Sequence, residues 1–287
     1  MVLAVVYTVN SKQTGIACKI KSGGVEMKGL KVLVLTMMLL VVSAGIVYAE
    51  DKVTGSASMG MFNRYVFRGY ELSSDSFVVQ PAVSISYKGF SAGFWGNIDS
   101  NEHITQSFVG SPNRLGEKSF NEVDLTLSYT YPIGNLSLTG GYIYYSTKYA
   151  PETEELFLSA SYDVITKPTL TIYRDITSFP GTYINLALSH SEKIYKGVTL
   201  DLGASAGYFS ADDDAFRTEG GTGKRYRAFH DGMVKAGFTI PVANNLSLQP
   251  IAQYWFPLSN KAERHGYNPN GHLDDTFVTG LNLTFNF

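Results

Sequence analysis

The sequence predicts an all-β fold, a transmembrane antiparallel β-barrel of about twelve strands. Three observations predict it: apolar and polar residues alternate from Lys52 onward, short and long connections alternate, and the final strand ends on an aromatic residue. Alternation with a period of two marks strands with one apolar and one polar face. About ten such residues cross the hydrocarbon core when the strand is tilted.

The alternation is clearest in residues 121–131, where Val123, Leu125 and Leu127 are followed by Tyr129 and Tyr131, with polar residues between them. The same pattern predicts eleven further strands. In chain order these are residues 53–69, 77–87, 90–98, 136–144, 156–162, 170–172, 184–188, 200–208, 234–240, 246–256 and 277–287. An even number of strands is what a bacterial barrel requires.

The predicted connections fall into two classes by length. Short turns are expected at residues 88–89, 132–135, 164–167, 192–197 and 241–245. Long, polar, glycine-rich loops are expected at residues 101–120, 211–227 and 257–272. Short turns on one side and long loops on the other are typical of an outer-membrane barrel. A soluble β-sandwich also has alternating strands, but twelve apolar faces are too many for one sandwich core.

The last strand carries a terminal aromatic residue, Phe287. Counting back from it, Phe285, Leu283, Leu281 and Phe277 fall on one face. A terminal aromatic on such a strand resembles the signal that the outer-membrane assembly machinery reads. We therefore expect Phe287 to be an assembly signal and that machinery to be a partner. Outer-membrane lipids are the second expected partner, because the apolar faces would contact them.

The N-terminal residues predict export. Residues 27–49 combine a basic start, an apolar stretch and small residues before a cleavage point after Ala49, which is the pattern of a secretory signal peptide. An uncleaved membrane anchor is the alternative, because the apolar run approaches the ~20 residues that a spanning helix needs. Residues 1–26 precede this pattern and are predicted to be a wrongly assigned extension, with translation starting at Met27. The barrel would then occupy residues 50–287.

Charge and cysteine content exclude several function classes. Residues 1–49 carry five Lys and one Glu, whereas the remainder carries 18 Lys and Arg against 24 Asp and Glu. Such an acidic chain offers no basic face for phosphates, so nucleic acid is not an expected partner. The single cysteine, Cys18, precedes the predicted barrel, so no disulfide, thiol nucleophile or Cys-ligated metal is expected there.

Two short motifs resemble a known family. Asn63-Arg-Tyr-Val-Phe-Arg-Gly69 is similar to the opening strand of the TorF-type porins, a family of bacterial outer-membrane proteins, and Gly93-Phe-Trp-Gly-Asn-Ile-Asp99 is similar to their third strand. The likeness covers the N-terminal half best. It implies a porin-like barrel and brings no substrate and no catalytic residue.

Charged residues on the polar faces are the candidate functional residues. A charge on a lipid-facing side would cost ~2–4 kcal/mol at the membrane midplane, so these residues are expected to point into the lumen. The predicted pore-lining set is Arg64, Arg68, Glu122, Asp124, Glu155, Asp163, Asp201 and Lys235. In one alternative they form a charged pore lining that selects solutes by their size and through the electric field of the side chains. In the other, the interior is plugged and Arg64 and Arg68 pair with Glu122 and Asp124.

The loops carry no motif for a cofactor or a metal. Residues 212–214 are three aspartates without the spacing of a calcium loop, and the histidines lack metal-ligand spacing. Residues 220–224 fail the phosphate-loop pattern, since Thr218 stands where the motif needs Gly and Arg225 where it needs Ser or Thr. No catalytic residue, cofactor or metal is predicted.

The sequence favours a porin-like outer-membrane channel for small polar solutes. The alternative is a closed barrel whose surface loops bind a partner. A lipid hydrolase is disfavoured, because it needs Ser and His within hydrogen-bond reach on one side of the wall. Ser189 and Ser191 flank His190 in a strand, so they point to the opposite face.

Overall fold

The structure, a computed structural model, describes residues 52–73, 76–102, 118–148, 150–212, 223–265 and 273–287. The predicted N-terminal extension and signal peptide lie outside these residues. The greater part of the aspartate triplet at 212–214 and of the glycine-rich stretch at 220–224 lies outside them too. In the described ranges, no helix is long and apolar enough to cross a membrane.

Twelve antiparallel strands close into a barrel in the described part of the chain, which confirms the predicted fold. Each wall strand pairs with the next, and the first pairs with the last. The wall strands are β1 (Thr54–Phe62), β4 (Val78–Tyr87), β5 (Phe90–Asp99), β6 (Ser119–Ile133), β7 (Leu136–Thr147), β8 (Thr153–Tyr162), β9 (Thr169–Asp175), β10 (Gly181–Tyr195), β11 (Val198–Ala211), β12 (Arg227–Ala243), β13 (Leu246–Pro257) and β14 (Thr276–Asn286). The remaining elements are a hairpin, β2 (Tyr65–Phe67) and β3 (Tyr70–Ser73), and a short helix, α1 (Asn260–His265).

The seam of the barrel joins β1 to β14. Their register runs from Ser56 opposite Asn286 to Phe62 opposite Gly280. Beyond the last pair, the Gly55 amide donates to the Phe287 carbonyl at 2.8 Å and the Phe287 amide donates to the Gly55 carbonyl at 2.9 Å. The terminal residue therefore takes part in closing the barrel. Its role as an assembly signal stays a prediction.

The outer surface of the barrel is apolar. Leu127 and Leu158 each expose 59% of their surface. Large hydrophobic side chains are exposed in the same way on most of the wall strands, among them Val83, Ile85, Leu125, Leu170, Ile172, Leu186, Leu188, Leu202, Val234, Phe238 and Leu283. A soluble protein rarely exposes a contiguous apolar patch larger than a few hundred Å². This belt is therefore the lipid-facing surface.

Exposed aromatic residues flank the apolar belt at both ends. The end with the short turns carries Tyr87, Phe90, Tyr162, Tyr195, Phe285 and Phe287, and the other end carries Phe77, Phe120, Phe229, Tyr254 and Phe277. Along β14, the distance from Phe277 to Phe287 corresponds to about 26 Å along the barrel axis, at ~3.4 Å per residue and a tilt of ~40°. An outer-membrane barrel has an apolar band of roughly 25 Å between its aromatic girdles. The chain is a membrane-spanning barrel of the bacterial outer membrane.

The two ends of the barrel differ in their connections, as predicted. Short turns at residues 88–89, 134–135, 163–168, 196–197 and 244–245 define the turn end. The other connections, which include the three predicted long loops, define the loop end. Three of the turns are shorter than predicted, because β6 continues to Ile133, β10 to Tyr195 and β12 to Ala243.

The first predicted strand, residues 53–69, is wrong in its second half. The wall strand ends at Phe62, and Asn63 is the last residue bonded to β14. The Asn63 amide donates to the Thr279 carbonyl at 3.0 Å, but the Thr279 amide donates to the Asn63 side-chain Oδ1 at 2.8 Å. The side-chain oxygen thus replaces the main-chain carbonyl on the ladder. This releases the following backbone from the wall, and residues 65–73 form a separate hairpin.

Candidate functional site

The hairpin formed by β2 and β3 lies in the loop half of the lumen. Phe67 pairs with Tyr70 across a two-residue turn, Arg68-Gly69, whose φ angles are 50° and 80°. Positive φ at both central residues defines a type I′ turn, which matches the twist of the flanking strands. Arginine is an unusual first residue for such a turn, because a side chain strains the left-handed conformation. The contacts of Arg68 compensate for that strain.

Arg68 makes a bidentate ion pair with Glu155 on β8. Its Nη1 and Nη2 atoms donate to Oε1 and Oε2 of Glu155 at 2.8 and 2.7 Å. The side chains are only 13% and 7% exposed. Tyr145 on β7 also donates from its hydroxyl to Glu155 Oε2 at 2.9 Å. The hairpin tip is thereby fixed to the wall.

Aromatic rings surround the Arg68 guanidinium. Its Cζ atom lies 4.5 Å from the ring centres of both Tyr173 on β9 and Tyr183 on β10, and 4.7 Å from that of Phe67. Such stacking is favourable for a desolvated guanidinium. Burial alone would lower the pKa of Arg68, but the Glu155 carboxylate raises that pKa above its ordinary value. Arg68 is therefore a charged group throughout the accessible pH range.

The second turn residue, Gly69, faces Asp231 on β12. A β-carbon added to Gly69 would lie 2.9 Å from the β-carbon of Asp231, so only glycine fits both the space and the backbone conformation. Tyr183 donates from its hydroxyl to both carboxylate oxygens of Asp231, at 2.9 and 3.0 Å. The same tyrosine therefore stacks on the arginine and positions the carboxylate beneath the turn.

The two sequence motifs, residues 63–69 and 93–99, meet in this lumen. The Tyr65 ring packs on Trp95 of β5 with centroids 5.2 Å apart. At the far end of the hairpin, the Ser73 hydroxyl donates to Asp99 Oδ2 at 2.6 Å. Trp95 and Asp99 belong to the second motif, and Tyr65, Arg68 and Gly69 belong to the first. The first motif thus forms part of the hairpin, and the second forms the part of the wall that the hairpin packs against.

The opposite edge of the hairpin packs against β12 and the loop end. Tyr70 lies on His230 with ring centroids 4.9 Å apart, and Tyr226 contacts His230 Nδ1 through its hydroxyl at 2.8 Å. Tyr70 also packs in a buried cluster with Ala262 of α1 and Leu273. The loop half of the lumen consequently contains a small hydrophobic core.

The hairpin spans the cross-section of the barrel. Its contacts reach β5, β7, β8, β9, β10 and β12, strands on opposite sides of the wall. Twelve strands ~4.8 Å apart and tilted by ~40° enclose a cylinder roughly 24 Å across. Packed β-layers need about 10 Å between them. A hairpin near the axis is therefore at packing distance from both sides and fills most of the loop half.

The turn half of the lumen has a different character. Strand alternation places small hydroxyl and amide side chains on its inner face, including Ser56, Ser84, Ser86, Ser91, Ser128, Thr130, Ser137, Thr139, Ser159, Ser161, Thr169, Thr171, Asn282 and Thr284. Several pair across neighbouring strands, for example Ser56 with Ser84 and Thr130 with Thr139, both at 2.9 Å. Such a surface suits water and polar solutes. The lumen is polar below the hairpin and packed at its level.

The predicted lumen residues separate into three groups: the two arginines near the hairpin, the residues that face inward from the wall, and Asp163 in a turn. Arg64 directly precedes the hairpin and Arg68 lies at its tip, and the alternative in which they pair with Glu122 and Asp124 is wrong. Arg64 pairs with Glu71 on the hairpin itself, and Arg68 pairs with Glu155. The reason is that the backbone leaves the wall at Asn63, so both arginines lie inside the lumen, where each reaches a different carboxylate.

Glu122 and Asp124 occupy successive inward positions on β6, as predicted. Trp95 is the residue opposite Asp124 in the ladder with β5. Asp201 on β11 accepts hydrogen bonds from Ser191, Thr239 and Gln249, all on inward faces, at 2.6, 2.5 and 3.2 Å.

Lys235 on β12 also faces inward, and its side chain lies over Gly203 on β11. Asp163 does not lie in the lumen wall. It follows the last residue of β8 and is exposed in the connection to β9. β8 ends at Tyr162, where the alternation predicted, so Asp163 begins the turn and does not continue the inward face of the strand.

The serine and histidine residues considered for hydrolysis do not meet. His190 Nδ1 lies 2.8 Å from the Ile165 carbonyl on the outer surface, whereas Ser191 donates to Asp201 on the inner one. Among the described residues, no three His, Cys, Asp or Glu side chains are grouped so that they could hold a metal ion. His272 lies outside the described residues.

Sequence reasoning missed the aromatic residues that hold the hairpin. Tyr145, Tyr173 and Tyr183 occupy inward positions that the pattern assigned to a polar face. A signal was present. Large inward aromatics cluster near the loop-side ends of adjacent strands, and a water-filled lumen has no need of them. They indicate an apolar partner inside the barrel.

No protein-family profile and no curated protein sequence matches the chain. Solved structures of similar shape include the NanC porin, with 10% identity and a TM-score of 0.49 over 80% of this chain and 98% of that one. An outer membrane channel from Pseudomonas putida F1 has 11% identity and a TM-score of 0.47, covering 85% of this chain and 98% of that one. The translocator domain of the autotransporter NalP from Neisseria meningitidis has 9% identity and a TM-score of 0.42, covering 91% and 98%. What each of them does is a property of that protein alone.

Proposed function

We propose that the chain is a porin-like outer-membrane channel for small polar solutes, with the hairpin as its constriction. The observation that supports the proposal is the division of the lumen. The turn half is lined by hydroxyl and amide groups, and the loop half is narrowed by a hairpin that a buried ion pair anchors. A barrel that only had to be stable would gain more from an apolar filling of its whole length. A polar inner face is what a water-filled path requires.

The test is solute entry into proteoliposomes. The refolded barrel is reconstituted, and swelling rates are measured for uncharged sugars of increasing size. The smallest sugars should enter and larger ones should be excluded, because the hairpin leaves only a narrow path beside the wall. Equal exclusion of every sugar by a correctly folded barrel, both with and without its hairpin, would overturn the channel.

A second candidate function is a closed barrel whose loops bind a surface partner. The packed core around Tyr70, His230 and Tyr226 favours it, because such a core is stable and excludes water. The two functions differ in one respect. A closed barrel stays impermeable when the Arg68–Glu155 contact is removed, whereas a constricted channel becomes more permeable.

A further inference from the structure

The turn end of the barrel is rich in lysine. Among the described residues at the short turns and beside them, and at the start of β1, five side chains are lysines and two are acidic. The lysines are Lys52, Lys88, Lys167, Lys193 and Lys196, and the acidic residues are Asp163 and Glu192. The short turns of an outer-membrane barrel face the periplasm. The described part of this end is therefore basic, although the whole chain has a net charge of -2.

Three of these lysines occupy strained backbone positions. Lys88, Lys167 and Lys196 have φ angles of 49°, 34° and 43°. Lys88 and Lys196 are each the first residue of a two-residue turn that a glycine completes. Asparagine or glycine is preferred at that position, because a longer side chain strains the left-handed conformation. The geometry of the turns thus gives no reason for lysine, and the position of its charge is the remaining reason.

Two of the ammonium groups lie on the aromatic girdle. Lys88 Nζ is 5.3 Å from the centre of the Tyr87 ring, and Lys196 Nζ is 5.1 Å from the centre of the Tyr195 ring. Within ~6 Å of a ring centre, an ammonium group is attracted by the face of the ring. Girdle aromatics lie at the level of the lipid headgroups. The two charges are therefore held at the headgroup level beside the wall.

The lysines are distributed around the barrel. Lys88 is in the turn between β4 and β5, and Lys196 is in the turn between β10 and β11. Four wall strands separate these two turns on either side, so they lie at opposite sides of the barrel. Lys167, in the connection between β8 and β9, lies nearer to Lys196. A docked protein would cover one side, whereas lipid surrounds the whole circumference. This distribution favours a lipid surface as the partner.

We infer that the turn end binds the anionic headgroups of phospholipids in the periplasmic leaflet, through Lys88, Lys167 and Lys196. Each ammonium group has three hydrogen-bond donors for phosphate oxygens. Its charge favours lipids with a net negative headgroup over zwitterionic lipids. The inference goes beyond the proposed channel function and does not depend on it, because it concerns the outer rim of the barrel and not the lumen.

The test is the association of spin-labelled lipids with the barrel in phosphatidylcholine vesicles. Electron paramagnetic resonance gives the ratio of the association constants of labelled phosphatidylglycerol and labelled phosphatidylcholine. A lysine at an anionic surface contributes roughly a fivefold gain in local affinity. Averaged over all lipids around the wild type, the ratio should be smaller but clearly above one. The triple variant Lys88→Asn, Lys167→Asn, Lys196→Asn should bring it close to one. This variant should remain folded, because asparagine suits the left-handed positions.

The matched control removes three exposed cations near the loop end, Lys118→Gln, Lys224→Gln and Arg227→Gln. It changes the net charge by the same amount and should retain most of the preference for phosphatidylglycerol. A wild-type ratio of one would overturn the inference. So would a ratio that the turn-end variant leaves unchanged, or an equal decrease in both triple variants, since an equal decrease would be an effect of net charge alone.

Discussion

Arg68 and Glu155 join the tip of a lumenal hairpin to the barrel wall through two parallel hydrogen bonds of 2.8 and 2.7 Å. The residues are 87 positions apart in the chain. Their contact is possible only because the backbone leaves the wall at Asn63. It holds the hairpin inside the loop half of the lumen.

Breaking this ion pair should destabilise the barrel. Arg68→Ala removes the guanidinium group that neutralises the buried Glu155 carboxylate, and removing one side of a buried ion pair costs about 3–5 kcal/mol. The measurement is the free energy of unfolding in urea, followed by tryptophan fluorescence. Arg68→Met combined with Glu155→Leu should recover most of the lost free energy of unfolding, because neither charge then remains buried without its partner. Wild-type stability of Arg68→Ala would contradict the assigned role of the contact.

Gly69 should tolerate no side chain. Gly69→Ala adds a left-handed strain of about 1–2 kcal/mol and a clash with Asp231 that adds roughly 1–3 kcal/mol. The control is Gly134→Ala, because Gly134 has φ 59° and nothing within 4 Å of an added β-carbon. The control should therefore show the strain alone. Equal unfolding free energies for the two variants would mean that the hairpin tip does not pack on β12.

Neighbouring residues of β6 should respond in opposite ways to charge. Leu127 faces lipid and Ser128 faces the lumen. Leu127→Lys should cost about 2–4 kcal/mol in a bilayer, whereas Ser128→Lys should cost much less because the polar lumen solvates the ammonium group. Unfolding in lipid vesicles measures both. A larger loss for Ser128→Lys would invert the assignment of the two faces.

Phe287 can be tested as an assembly signal separately from its place in the seam. Deleting the residue removes both main-chain hydrogen bonds to Gly55, whereas Phe287→Ala keeps them and removes only the ring. We expect both variants to yield less heat-modifiable barrel in cells, and Phe287→Ala to refold normally in detergent. Normal cellular levels of Phe287→Ala would show that the ring is not the signal.

The wall of the barrel was predictable from sequence because its cause is local. Alternation assigned Leu125 and Leu127 to lipid and Glu122 and Asp124 to the lumen, and the structure agrees. The path of residues 63–69 was not predictable in this way. Tyr65 and Phe67 alternate with Arg64 and Arg68 whether the segment lies in the wall or inside the barrel.

Two nonlocal contacts decide the path of that segment. The Asn63 side chain replaces the backbone on β14, and inward aromatic rings from distant strands accept the hairpin. Neither contact changes the alternation of apolar and polar residues in residues 63–69, so the alternation could not predict it. The inward positions of Glu122, Asp124, Asp201 and Lys235 followed from alternation, whereas the partners of the two arginines did not, and the role of these residues as a pore lining stays a prediction.

The most direct test of the hairpin as the constriction of a channel compares the single-channel conductance of the wild type with that of a variant in which residues 64–73 are replaced by a short Gly-Ser linker. Phe62 and Val78 are paired neighbours, so a short linker can join β1 to β4 without disturbing the wall. We expect small conductance steps for the wild type and much larger, stable steps for the variant. Equal conductances in two correctly folded barrels would contradict the hairpin's role as the constriction of a channel.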